Sequence, residues 1–247
     1  MRHLWPEPGT VDDVGQLVAS EPRSPHGSRP WLLVNMVASL DGAITIDERS
    51  GGLGGEADRS MFFALRHVAD VVLVGAGTAR AEDYGPTRAN DAVRAERAAR
   101  GQAELPRLAV VTRSLELDPG ARLFGDPSNR PYVITHRGAP AERVAALEAV
   151  ADVVQLGDDA VDLVAAAEHL RAEGADVVAC EGGPTLNGDL IAHDLVDEWD
   201  MTIAPLLVSG DAGRSSRGPL PDPLRFELAR LLESDGELHG RWVRARS

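Results

Sequence analysis

Four short segments carry residue types that could do chemistry. Gly75-Ala76-Gly77-Thr78 and Glu181-Gly182-Gly183-Pro184-Thr185-Leu186 each follow an apolar run. Glycines there let a ligand approach the backbone closely. Pro184 suits the first position of a helix, where its missing N–H costs nothing. The helix N-terminus it opens offers free N–H groups and a positive dipole end to a phosphate. Thr112-Arg113-Ser114 sets a guanidinium between two hydroxyls, which fits the 2′-phosphate of a dinucleotide. Ser39-Leu40-Asp41-Gly42 puts a carboxylate beside a glycine turn. Each segment has a plainer reading. The first glycine pair also reads as a tight strand-to-loop turn and the second as an ordinary strand–helix turn, and position 80, where a dinucleotide fingerprint wants a third glycine, holds Arg80. Arg113 also reads as a solvated arginine, and Asp41 as a turn former.

The elements that must position these segments alternate. Trp31–Val37, Val71–Val74, Leu108–Val111, Tyr132–Thr135, Val153–Leu156 and Val177–Cys180 are apolar runs of strand length. Helical spacing marks residues 57–69, 90–101, 140–149 and 160–172, and another helix begins near Pro184. The alternation predicts an α/β layered fold with a largely parallel central sheet and helices on both faces. In such sheets ligands bind beyond the carboxyl ends of the strands, so the glycine segments share one edge. The end of the chain differs. Trp199–Leu207 is a strand, and Ser234-Asp235-Gly236-Glu237 predicts an antiparallel hairpin between Phe226–Leu232 and Leu238–Arg244. Residues 1–30 read as a peripheral lead-in with a short helix at Val11–Ala19, and residues 31–247 as one domain. Residues 209–224, rich in Gly, Ser, Arg and Pro, read as an exposed, mobile loop.

Composition removes several function classes. The formal net charge is −14, against the basic surface that nucleic-acid binding draws on. All 25 basic residues are arginines, so a lysine Schiff base and a P-loop lysine are excluded. Cys180 is the one cysteine, which excludes a disulfide framework and a Cys-rich zinc site; no metal is expected. The start lacks a signal-peptide pattern and no apolar run reaches the length of a membrane helix, so the expectation is a cytoplasmic protein. A Gly-x-Ser-x-Gly nucleophile segment is absent, which argues against an α/β-class hydrolase.

Taken together, Ser39-Leu40-Asp41-Gly42, Val74-Gly75-Ala76-Gly77-Thr78 and Glu181-Gly182-Gly183-Pro184-Thr185-Leu186 resemble, in order and separation, the pyrimidine reductase domain of riboflavin biosynthesis. The similarity runs from about Trp31 to about Leu207. It implies a dihydrofolate-reductase-like three-layer fold and hydride transfer from NADPH to a phosphorylated ribosylaminopyrimidine of the 5-amino-6-(phosphoribosylamino)uracil type, turning ribosyl into ribityl. By resemblance, Ser39, Gly75, Gly77, Thr78 and the segment Gly182–Leu186 hold NADPH, and Thr112, Arg113 and Ser114, by their residue types, suit its 2′-phosphate. Asp41, Ser50, Arg66, Glu82, Arg88 and Glu181 face the substrate. Asp41 or Glu181 positions the imine, and a water or carboxylic acid supplies the proton. A homodimer is implied as well. The chain departs from the family in three places. Ala43 stands where many members have lysine, Glu82 replaces the commoner aspartate, and Asp83-Tyr84-Gly85-Pro86 replaces the usual Asn-Pro. The zinc deaminase of bifunctional members needs Pro-Cys-x-x-Cys, which one cysteine cannot supply. Two other readings stay open: reduction of dihydrofolate or another pteridine, and a non-catalytic NADPH-binding paralogue.

Overall fold

The computed structural model describes residues 1–246. The elements run β1 (Arg2–Trp5), β2 (Gly9–Thr10), α1 (Val14–Ser20), β3 (Trp31–Ser39), α2 (Glu56–Val68), β4 (Val71–Gly75), α3 (Ala76–Ala81), α4 (Asp91–Ala99), β5 (Arg107–Val111), β6 (Tyr132–Thr135), α5 (Ala141–Glu148), β7 (Asp152–Gln155), α6 (Leu163–Ala172), β8 (Val177–Cys180), α7 (Pro184–Ala192), β9 (Glu198–Ala204), β10 (Phe226–Ser234) and β11 (Glu237–Arg244).

All strands join one sheet of order β2-β1-β10-β11-β9-β3-β8-β4-β5-β6-β7. From β9 to β7 every pairing is parallel. From β2 to β9 every pairing is antiparallel. The fold is therefore the expected three-layer α/β architecture with a mainly parallel sheet and an antiparallel wing. Alternate residues of one strand face opposite layers. Leu32 and Val34 pack with Leu73, Val178, Leu170 and Leu190 under α6 and α7. Leu33 turns the other way, to Met61 and Leu65 of α2, Val177, and Val18 of α1. Val72, Val74, Val110 and Val133 meet Leu147 of α5 on that second face. Two covered faces explain why the parallel strands read as continuous apolar runs.

Residues 1–30 differ from the expected peripheral lead-in. β1 pairs with β10, opposing Arg2 to Glu233, and extends the sheet. Val18 is fully buried, and Arg23 reaches the buried carboxylate of Glu198 at 2.6 Å. Short strands with an exposed pattern carry no apolar alternation, so only their pairing partner shows them. The loop 209–224 also differs from expectation, since it is docked on α7. The Arg217 N–H donates to the Pro184 carbonyl at 2.9 Å, and the Asn187 side chain donates to the Ser215 carbonyl at 2.8 Å. A Cβ on Gly188 would lie 1.9 Å from the Arg217 carbonyl oxygen, so glycine is what allows this approach. Finally, Gly75-Ala76-Gly77-Thr78 is no open loop: α3 starts at Ala76.

Candidate active site

A cavity of about 540 Å³ opens at the carboxyl edge of the parallel strands. Its walls come from the middle of β3, the loop after β3, the first two turns of α2, the α3 region and the start of α7. A volume of this size suits a small ligand lying against part of a larger one.

Glu181 sits on the floor. It follows β8 directly, and its backbone N–H donates to the Leu73 carbonyl of β4, so two adjacent strands fix it. Arg66 grips the carboxylate with both arms of its fork: Nε donates to Oε1 and Nη2 to Oε2, each at 2.6 Å. The Tyr84 hydroxyl donates to Oε2 at 2.7 Å. The Arg66 guanidinium also lies 4.2 Å above the Phe62 ring. Burial works against its charge, but the Glu181 carboxylate and its hydrogen bonds outweigh burial and hold the Arg66 pKa above the ordinary arginine value. Burial, reinforced by the Glu181 charge, pushes the Tyr84 phenol well above its usual range. A bidentate arginine–carboxylate pair fixes orientation as well as charge.

The second glycine segment borders the cavity. Gly183 is the N-cap residue of α7 and makes no side-chain cap, with Pro184 next. Asn187 N–H already bonds Gly183. Helix geometry leaves the N–H groups of Thr185 and Leu186 without intrahelical acceptors. Gly182 has φ +86°, a left-handed conformation that favours glycine. The Gly75 N–H donates to the Gly182 carbonyl at 2.7 Å, which ties the two glycine segments side by side. A Cβ on Gly183 would lie 2.4 Å from the Thr78 hydroxyl, while one on Gly77 would meet nothing.

The structure brings together Thr78, Gly183, Pro184, Glu181, Ser50 and Glu82 as cavity walls, and Arg66 behind Glu181. Glu82 accepts the Ser50 N–H at 2.8 Å. Gly75, Gly77, Gly182 and Thr185 adjoin this wall, whereas the Leu186 side chain is buried in the core under α7. Other predicted residues lie elsewhere. Arg88 is exposed and outside the lining. Thr112, Arg113 and Ser114 follow β5 farther along the same sheet edge. Thr112 Oγ1 accepts the Leu115 N–H, and the His136 ring lies between the carbonyls of Arg113 and Asp158, at 3.1 Å from each.

Asp41 is the clearest departure. It does not line the cavity. Its carboxylate accepts from the Ser39 hydroxyl and from the backbone N–H groups of Val208 and Ser209, at 3.2 and 2.6 Å. The Ser39 hydroxyl and then those N–H groups hold its pKa down at about 2. A carboxylate so thoroughly satisfied staples the turn to the loop after β9 and is a poor proton source. Ser39 is buried and accepts the Ala43 N–H with the same hydroxyl. Cys180 is no nucleophile: burial pushes its thiol up to about 12.

Sequence reading missed Asn35, Asp58, Arg59, Phe62 and Tyr84 as cavity residues. For α2 a signal existed. Asp58, Phe62 and Arg66 are spaced i, i+4, i+8 and form one stripe on the helix.

Residues 30–239 match the family model described as the RibD C-terminal domain. The chain belongs to that family. A reductase of Archaeoglobus fulgidus named for 2,5-diamino-6-ribosylamino-4(3H)-pyrimidinone 5′-phosphate is 34% identical over 183 residues, covering 74% of this chain and 83% of that one. The like-named protein of Methanothermobacter thermautotrophicus is 33% identical, covering 82% and 92%. A solved pyrimidine reductase-like protein from Corynebacterium diphtheriae superposes with a TM-score of 0.81 at 27% identity, covering 88% of this chain and 93% of that one. These relatives are named reductases, which implies an oxidoreductase with a nicotinamide cofactor.

Proposed function

We propose that this RibD-family protein is an NADPH-dependent reductase that converts the ribosyl group of a phosphorylated ribosylaminopyrimidine into ribityl. The observation that carries the reading is one cavity bounded on one side by Gly183 and Pro184 and floored by the Glu181–Arg66–Tyr84 cluster.

The residues present fit a dinucleotide. The uncapped start of α7 offers the Thr185 and Leu186 N–H groups to a diphosphate. Glycine at 183 leaves room beside Thr78, and the face of Gly77 is open. Arg113, exposed just after β5 between two hydroxyl residues, would take a 2′-phosphate. When bound, NADPH supplies the hydride. Glu181, fixed by Arg66 and Tyr84, presents a rigid acceptor to the donors of the pyrimidine base, and Ser50 and Arg59 line the mouth where a sugar phosphate would sit. Phe62 and Met36 give the cavity apolar surface that excludes water from the reacting carbon.

The relatives named for a 2,5-diaminopyrimidinone support that base over the uracil that later deamination would give. The test is oxidation of NADPH and of NADH with each ribosylaminopyrimidine 5′-phosphate and with dihydrofolate. Expected is turnover of a ribosylaminopyrimidine with a preference for NADPH. Turnover of dihydrofolate alone, or of none, overturns the substrate, and a preference for NADH overturns the role given to Arg113.

A further inference from the structure

Opening and reducing a ribosylamine consumes a proton. The C1′–O4′ bond breaks as the nitrogen lone pair forms C1′=N, and O4′ leaves needing one proton. C1′ then accepts hydride from NADPH as the C=N pair moves to nitrogen. C1′ is reduced, the cofactor is oxidised, and one proton per turnover must come from the site. The carboxyls discussed so far are ill-placed to give it. Both oxygens of Glu181 are occupied by Arg66 and Tyr84. Glu82 accepts the Ser50 N–H, Asp41 is outside the cavity, and Glu48 is exposed at its rim.

Asp58 is placed differently. It lies in the first turn of α2 and on the cavity wall. Its carboxyl folds back over Gly54, where a Cβ would lie 2.0 Å from Oδ2, so the glycine makes room for it. Behind it lies a polar chain running into the sheet. The Thr202 hydroxyl of β9 faces the Asp58 carboxyl, and His239 of β11 places Nδ1 3.0 Å from Thr202 Oγ1. The His239 side chain is 1% exposed, and its Nε2 has no hydrogen-bond partner, with Glu237 Oε2 at 3.6 Å. Glu237 also accepts the N–H groups of Gly55 and Asp58, at 2.5 and 3.2 Å, and so caps α2 from β11.

We propose that Asp58 is the proton donor of this cavity, delivering its proton to the ring oxygen, with Thr202 and His239 as positioning residues behind it. The inference rests on the reductase reading above. The charged and titratable groups around Asp58 are Glu237 and His239 from β11 and its neighbour Arg59 on α2. Burial raises the Asp58 pKa, and the Glu237 charge adds to this; the Thr202 hydroxyl and Arg59 pull the other way without cancelling it. A donor must hold its proton at working pH, so activity falls as pH rises through that pKa.

The experiment has a kinetic and a spectroscopic arm. Asp58→Asn should lower kcat by about 100-fold or more while NADPH binding, followed by fluorescence, stays within about twofold. Thr202→Val removes the hydroxyl that favours the charged form, so the alkaline limb of the kcat profile should move to higher pH, and Thr202→Ser should restore it. Carbon-13 aspartate spectra of the wild-type protein should show two carboxyls titrating above the others, Asp58 and the buried Asp200, and one of the two should be absent in Asp58→Asn. Retained kcat in Asp58→Asn with an unchanged alkaline limb, an unmoved limb in Thr202→Val, or an Asp58 carboxyl titrating in the ordinary range each overturns the proposal. Failure of the wild-type protein to reduce any ribosylaminopyrimidine instead sinks the reductase reading, and the titration then decides Asp58 alone.

Discussion

Glu181 and Arg66 hold each other in a low-dielectric wall, where removing one partner leaves the other buried and unpaired. Arg66→Met should therefore cost more than the lost hydrogen bonds, on the order of 3–5 kcal/mol of stability. Thermal denaturation with and without NADPH checks this, and kcat should fall in parallel because Glu181 loses its fixed orientation. Glu181→Gln keeps shape but breaks one arm of the fork. It should raise KM for the pyrimidine more than it changes NADPH binding, a split that separates a substrate-facing acid from a cofactor contact. The contrast with Asp41 shows what residue type alone conveys. Both are acids next to glycines after core strands. Only the partners, Arg66 and Tyr84 for one and two loop N–H groups for the other, separate a cavity acid from a turn acid.

At the scale of elements, Gly188→Ala tests the seat of the loop 209–224. The added methyl would meet a backbone carbonyl, which cannot rotate away. The variant should lose about 1–3 kcal/mol, as overpacked sites do, and limited proteolysis should cut within 209–224 sooner than in the parent chain. The loop's docking was invisible in sequence because Gly, Ser and Pro write the same composition whether a loop is free or bonded to a helix. The central strands were legible for the opposite reason. Val71–Val74 and Val177–Cys180 are buried on both faces, and burial on both faces leaves an unbroken apolar run. Helix starts were partly legible: Pro184 marked α7, whereas α3 hid behind glycines that read as a turn. Asp58 was hidden by its own position. An acid in the first turn of a helix is expected for the dipole alone, and nothing local shows Thr202 and His239 arriving from strands far along the chain.

For the whole molecule, the join between the parallel block and the antiparallel wing is built from ions. Glu198 on β9 receives Arg23 from the N-terminal segment at 2.6 Å, Arg241 from β11 at 3.0 Å, and the Trp31 indole at 2.9 Å. Neighbouring Asp200 meets Arg230 of β10 at 3.1 Å. Burial would neutralise Glu198, but the Arg23 and Arg241 charges outweigh it and keep its pKa low. Burial and the Glu198 charge push Asp200 the other way, well above the carboxylate range. The pair therefore splits: its surroundings favour the charged form of Glu198 and the protonated form of Asp200. Glu198→Gln should therefore strand its arginines and lower Tm strongly, whereas Asp200→Asn, a near mimic of the protonated acid, should change it little; paired thermal melts decide. Glu198, with its lowered pKa, contributes stability above the ordinary glutamate range that is lost as pH falls through its folded-state value.

The pairing of β1 with β10 sets an order of events during synthesis. Arg2 opposes Glu233, and Arg23 closes on Glu198, partners 231 and 175 residues apart. Segments translated earlier thus wait for strands translated later, and closing so long a span comes after the local βα units have formed. While a ribosome is still making β9 to β11, the edge of β3 that β9 will cover is bare and Arg23 lacks Glu198. The nascent chain's exposure to chaperones and proteases is concentrated at that seam.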